Sequence, residues 1–206
     1  MTAATGARRG RKPNAELTDL RPARQRLLDS AGELFNAEGV QSVGIERILE
    51  HAGVAKGSLY NTFGSKEALV RAYLDARHAN TTSRLQQAID AVDDPRERIL
   101  AVFDAQGQIF RQPDFHGCAF VSARTGAEPG GKIDQATDNY RAWILAMFAR
   151  LAKAAGARQP KRLAEQLQLL YDGGGIAANM DHNPAIAKAS RAAAAALIDA
   201  AASTAP

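Results

Sequence analysis

Apolar residues recur every three or four positions along most of the chain, the spacing of helices that bury one face. The first stripe, Leu27, Leu28, Ala31, Leu34 and Phe35, predicts a helix over about 22–39. Pro22 suits its first turn because it has no N–H to leave unbonded, and Gly39 can take the left-handed conformation that ends a helix. A second, short stripe of Ile45, Ile48, Leu49 and Ala52 is followed by Gly53, where a tight turn between helices needs a permissive backbone. A third short helix holds Leu59, Tyr60 and Phe63. Gly64 and Ser65 break the pattern, and Ser65 is placed to cap a longer fourth helix carrying Leu69, Ala72, Tyr73 and Ala76.

Beyond residue 77 the pattern continues as longer helices, opened by Pro95 and Pro160 and broken around 113–117 and 125–131. Residues 173–175, three consecutive glycines, are candidates for a kink or interruption. The last helix is expected over about 184–202, with Asn183 as its N-cap. Its alanine run at 192–196 reads as packed helix, since alanine is the best helix former and allows close approach. β-like runs such as 118–121 are too short and isolated to build a sheet. The predicted fold is therefore all-α with about nine helices: an N-terminal three-helix helix-turn-helix unit followed by a C-terminal helical domain. Three segments are expected, a basic arm over 1–21, the helix-turn-helix unit over 22–70 and the helical domain over 71–206.

Composition narrows the function classes. With 46% apolar and 23% charged positions among 206 residues, the chain can bury an ordinary core without staples. A single cysteine, Cys118, excludes an internal disulfide and any four-thiolate metal site, which fits a reducing compartment. No apolar run reaches membrane-spanning length and the N-terminus lacks a signal-peptide pattern, so a cytoplasmic protein with no membrane partner is expected. The net charge of +4 is unevenly spread. Arg8, Arg9, Arg11, Lys12 and Arg21 precede the first helix against only Glu16 and Asp19, a distribution equally compatible with a solvated tail and with an arm that binds a polyanion.

Two short helices joined by a glycine turn form a unit whose second helix can enter the major groove of DNA. The polar positions of that helix are Lys56, Gly57, Ser58, Tyr60, Asn61 and Thr62, with no acid among them and Lys66 just beyond. Such a set can hydrogen-bond bases and phosphates, whereas an ordinary surface helix mixes both charge signs. For Tyr60, packing beside Leu59 in the core is the alternative to an exposed role.

The segment over 53–69, Gly-Val-Ala-Lys-Gly-Ser-Leu-Tyr-Asn-Thr-Phe-Gly-Ser-Lys-Glu-Ala-Leu, resembles the recognition-helix signature of the TetR family of transcriptional regulators. With the preceding helix pair the resemblance covers about residues 24–73. It implies that Leu59 and Phe63 pack the core while Lys56, Gly57, Ser58, Tyr60 and Thr62 lie against DNA, and that Lys66 reaches a phosphate. It also implies a homodimeric regulator, more often a repressor, whose C-terminal cavity binds a small-molecule effector. Three residues depart from the family pattern. Ala55 replaces the usual capping serine, which typically costs about 1 kcal/mol of helix stability. Gly44 replaces a threonine or serine at the start of the second helix, so the first phosphate contact there can shift to Ser42, and Leu49 replaces a common alanine.

For the implied cavity, the candidates are Arg77, Phe103, Gln106, Phe110, Cys118, Asn139, Trp143 and Met147, aromatic or polar residues at helical spacing; each also fits a plain core position. For the dimer, the final two helices supply Leu163, Leu167, Leu170, Ile186, Ala189, Ala193 and Leu197, among small residues suited to a close isologous contact.

Features that suggest an enzyme are weak. The stretch from Gly126 to Lys132 approaches a phosphate-binding loop, but Ile133 stands where a magnesium-binding hydroxyl is needed, and Glu128 adds a negative charge. His116 and Cys118 are two residues apart with no further ligand beside them, and that spacing does not aim a base at a thiol. His51, His78 and His182 are isolated. The expectation is a non-enzyme that needs no cofactor or metal, with a nonspecific DNA-binding protein and a nucleotide-binding enzyme as the alternatives.

Overall fold

The computed structural model describes residues 21–202, which form nine helices and no strand. They are α1 (Ala23–Glu38), α2 (Ile45–Ala52), α3 (Lys56–Phe63), α4 (Lys66–Asp90), α5 (Pro95–Phe110), α6 (Ala119–Arg124), α7 (Lys132–Ala154), α8 (Pro160–Met180) and α9 (Ile186–Ala202). Apart from Arg21, which pairs with Asp29, the arm expected over 1–21 lies outside the described residues. Among the described residues no helix is long and apolar enough to cross a membrane.

The short N-terminal helices are held by local signals and one shared core. Pro22 sits just before α1 rather than in its first turn, and Gly39 ends the helix at φ +85°. Gly53 closes α2 in the left-handed region, φ +60° and ψ +40°, which glycine adopts without steric cost and which aims the chain into α3. An eight-residue helix is marginal alone. Leu59 is fully buried, and that burial contributes roughly 1.5–3 kcal/mol toward holding α3 against α1.

Ser65 caps α4 as its sequence position suggests, its Oγ accepting from the Ala68 N–H at 3.1 Å. The helix then runs 25 residues without a break, straight through the boundary expected between residues 70 and 71. α4 packs against α1 and α3 and also against α5 and α7, and its buried Leu69, Leu74, Leu85 and Ile89 belong to one apolar core that extends from Leu27 to Ile198. Asp94 caps α5, its carboxylate accepting from the Glu97 N–H at 2.9 Å, with Pro95 at the first helical position.

Glycines let the C-terminal helices approach closely. α8 continues through residues 173–175 with no interruption; a Cβ on Gly174 would stand 2.6 Å from Ser190 Oγ of α9. On α5, a Cβ on Gly107 would stand 2.7 Å from the Ala187 Cβ of α9. The triglycine is therefore a site of close approach and not a kink. α9 begins at Ile186, two residues later than expected, after a turn in which Asn183 Oδ1 accepts from the Ala185 N–H.

Candidate nucleic-acid interface and internal cavity

The α2–α3 turn is clamped from α1. Arg26 donates through Nη1 to the carbonyls of Ala52 and Gly53, at 3.2 and 3.1 Å, satisfying acceptors that the end of α2 leaves open. The Arg24 guanidinium lies 5.5 Å over the Phe63 ring. With Leu59 buried and Phe63 half-buried, α3 turns its other faces outward. Lys56, Gly57, Tyr60, Asn61 and Thr62 are exposed and Ser58 is half-buried; Ser42 and Gly44 are exposed at the entry to α2. Tyr60, at 44% exposure, is a surface residue and does not pack beside Leu59 in the core.

Charges on this face are more balanced than α3 alone suggested. Lys56 Nζ donates to Glu46 Oε1 of α2 at 3.1 Å. That hydrogen bond lowers the Glu46 carboxyl below its usual range and raises the Lys56 ammonium. Lys66, the first residue of α4, is half-buried and donates to the Val40 carbonyl at 3.0 Å, with burial lowering its pKa. An ammonium carries three N–H donors, so two remain for an anion at the start of the helix. Ala55 precedes α3 with extended backbone and no side-chain cap.

A cavity of about 90 Å³ lies among α4 to α8. Four of the residues expected in it are there, namely Arg77, Gln106, Phe110 and Cys118. Four are not. Phe103 and Met147 are closed into the core, Phe103 stacking on Phe148. Asn139 is exposed, because it is one residue, or about 100° of helix, from the inward Tyr140. Trp143 is half-buried beside His78, ring centroids 5.1 Å apart, off the cavity wall. Sequence reasoning missed Thr81, Arg84, Tyr140 and Tyr171. Thr81 and Arg84 follow Arg77 at i+4 and i+7, so one helical face carries all three; the tyrosines were legible only as core.

Neither enzyme-like feature gains support. The Gly131–Lys132 backbone meets a carboxylate, Glu67 of α4, whose Oε1 accepts from the Lys132 N–H at 2.8 Å, and Asp134 accepts from the Gly130 N–H. Acceptors therefore hold the amides that a phosphate would need. Cys118 precedes α6, and burial pushes its thiol pKa up, away from the reactive thiolate.

The dimer candidates divide by burial. Leu163 and Leu167, at 2% and 0% exposure, are consumed by the chain's own core and are not available to a partner. Leu170, Ile186 and Leu197 are half-buried; Ala189 and Ala193 are exposed. The outward apolar residues of α8 are Leu169, Ile176 and Met180, exposed by 76%, 46% and 73%. Their i, i+7, i+11 spacing was readable, but the stronger stripe through Leu163 and Leu167 masked it.

Comparison with known proteins agrees with this architecture. The family model of bacterial regulatory proteins of the tetR family matches residues 27–73. An HTH-type transcriptional activator, FasR of Mycolicibacterium smegmatis, is 37% identical over 103 residues, 50% of this chain and 44% of that protein. The HTH-type transcriptional regulator UidR of Escherichia coli is 31% identical over 75 residues, 36% of this chain and 38% of that one. The chain thus spans less than half the length of these two relatives. Solved structures match further. A TetR-family transcriptional regulator from Streptomyces coelicolor superposes with a TM-score of 0.83 at 27% identity, covering 88% of this chain and 96% of that one. A protein assigned to the same regulators from Streptomyces avermitilis gives 0.79 at 31% identity, covering 88% and 98%. With that near-complete coverage, and with the helix-turn-helix geometry and nine-helix order described above, the chain belongs to the TetR family of bacterial regulatory proteins.

Proposed function

We propose that the protein is a sequence-specific DNA-binding transcriptional regulator that acts as a homodimer and is released from its operator by a small molecule in the α4–α8 cavity. The observation that carries the DNA-binding reading is the outward, acid-free polar face of α3, presented on a left-handed Gly53 turn and clamped by Arg26. Lys56, Ser58, Tyr60, Asn61 and Thr62 would meet base edges, while Ser42, Gly44, Gly57 and Lys66 would approach the backbone. Two copies joined through α8 and α9 would set their recognition helices on successive major-groove faces, about 34–36 Å apart. The exposed Leu169, Ile176 and Met180, with Ala189 and Ala193 of α9, support that pairing.

Release needs a ligand with different affinities for two dimer geometries. The cavity is suited to produce them. Cys118, Phe120 and Val121, at the start of α6, line it. Ser122, one residue on, faces Gly39 at the end of α1. Asn36 also donates to the Asp114 carbonyl at 2.7 Å, so the segment leading into α6 is tied to α1. A ligand that shifts α6 would press on α1 and re-aim α3. Repression is the action that release by an effector fits most simply.

Selection of bound duplexes from a random pool at physiological salt tests the reading. An enriched inverted repeat is expected, with Tyr60→Phe or Lys56→Ala altering discrimination among sites and Lys66→Ala weakening all sequences alike. Salt-sensitive binding without enrichment would make the protein a nonspecific binder, and no binding at all would overturn DNA recognition.

A further inference from the structure

The cavity walls carry two cations that have no ion-pair partner among the described residues. Arg77 and Arg84 lie two turns apart on one face of α4, about 10 Å along its axis, and neither makes an ion pair or hydrogen bond with a described residue. Arg84 Nε is shielded from solvent without a partner, which a freely hydrated surface arginine is not. Asp172 is the one acid among the lining residues, and Arg141 already binds it at 2.6 Å. Gln106 is 94% buried by its 6% exposure, and its Nε2 donates to the Tyr171 carbonyl at 2.8 Å. Its Oε1 has no partner. Phe110, Phe115 and Phe120 supply the apolar wall.

We propose that the cavity takes a small organic monoanion: a carboxylate at Arg77 and Arg84, with a compact aromatic or short aliphatic body against the phenylalanines. The assignment rests on the effector-site reading above and adds the chemical class. Guanidinium forks match a carboxylate with two parallel N–H bonds, and a partly dry site strengthens them. The volume has room for roughly six to nine water-sized spheres, which fits a body of about one ring.

Calorimetry on the full chain with paired probes tests this: 4-hydroxybenzoate against 4-hydroxybenzamide, and hexanoate against hexanamide. Trp143 is the sole tryptophan and lies 6.2 Å from the cavity residue Tyr140, so its fluorescence reports occupancy. A carboxylate is expected to bind at least tenfold more tightly than its amide. Arg84→Met should erase that preference without weakening the amide, and Arg84→Lys should restore part of it, with thermal melts confirming that each variant is folded. Amides that bind as well as carboxylates would overturn the anion assignment while keeping the cavity as a ligand site. If no probe in either pair binds, the assignment and the effector site fall together.

Discussion

Gly107 is where the C-terminal helices meet carbon to carbon most closely among the described glycines, and replacing it by alanine gives a test with a calculable sign. The new Cβ would stand 2.7 Å from the Ala187 Cβ, whereas carbon atoms rest at about 3.5–4.0 Å. Ala187 has no rotamer that escapes, so α5 and α9 must separate by about 1 Å. Overpacking of that kind costs about 1–3 kcal/mol. Gly→Ala in a helix interior returns about 1 kcal/mol of propensity, so the single variant should lose up to about 2 kcal/mol. A double-mutant cycle removes the propensity contribution. With Ala187→Gly already present the clash partner is gone, and Gly107→Ala should then stabilise by about 1 kcal/mol. The expected coupling is therefore about 1–3 kcal/mol, measured by urea unfolding at one fixed protein concentration because association also contributes to stability. Equal effects of Gly107→Ala in the two backgrounds would refute the close-approach argument. Gly174→Ala should cost less despite its 2.6 Å approach, because the atom it meets is the Ser190 hydroxyl, which can rotate.

Ala55→Ser supplies the missing cap of α3 on backbone that is already extended; about 1 kcal/mol of added stability, or 2–4 °C in thermal melting, is expected, and no gain would mean that the cap is not what α3 lacks. Glu46→Gln removes the acid beside Lys56 and should tighten DNA binding with a steeper salt dependence in a titration series; weaker binding would argue that the pair positions Lys56 instead. His78 packs edge-on against Tyr140 and Trp143, and burial holds its pKa below 6.5. The unfolded chain therefore takes up the proton more readily, so stability from this group should fall as pH drops through 6.5 toward the folded-state value. Urea unfolding of wild type and His78→Gln at pH 7.5 and 5.5 checks this, and equal losses in the two proteins would exclude His78 as the source.

What the sequence revealed depended on how local the cause was. The α2–α3 turn was readable because Gly53 and the flanking stripes specify it within a few residues. The unpaired face of α8 was not, since that helix is apolar on two sides and only packing decides which side the chain keeps for itself. Half of the cavity candidates were misplaced for the same reason: Phe103 and Gln106 lie on one helix, both buried, yet only Gln106 reaches the open space. Polar contacts across elements, Lys56 with Glu46 and the Lys132 backbone N–H with Glu67, join residues 10 and 65 positions apart and leave no periodic trace. The triglycine was visible, but its meaning lay in Ser190 on another helix.

The unbroken α4 has a mechanical consequence. Its 25 residues make a rod of about 37 Å, with Lys66 at one end and Arg77 and Arg84 along its middle. A tilt of about 5° about the far end would carry the Lys66 end sideways by about 3 Å, close to the 3.4 Å between stacked base pairs. A movement too small to disturb the core near Leu85 and Ile89 is thus enough to slide a reading head by nearly one letter of its text.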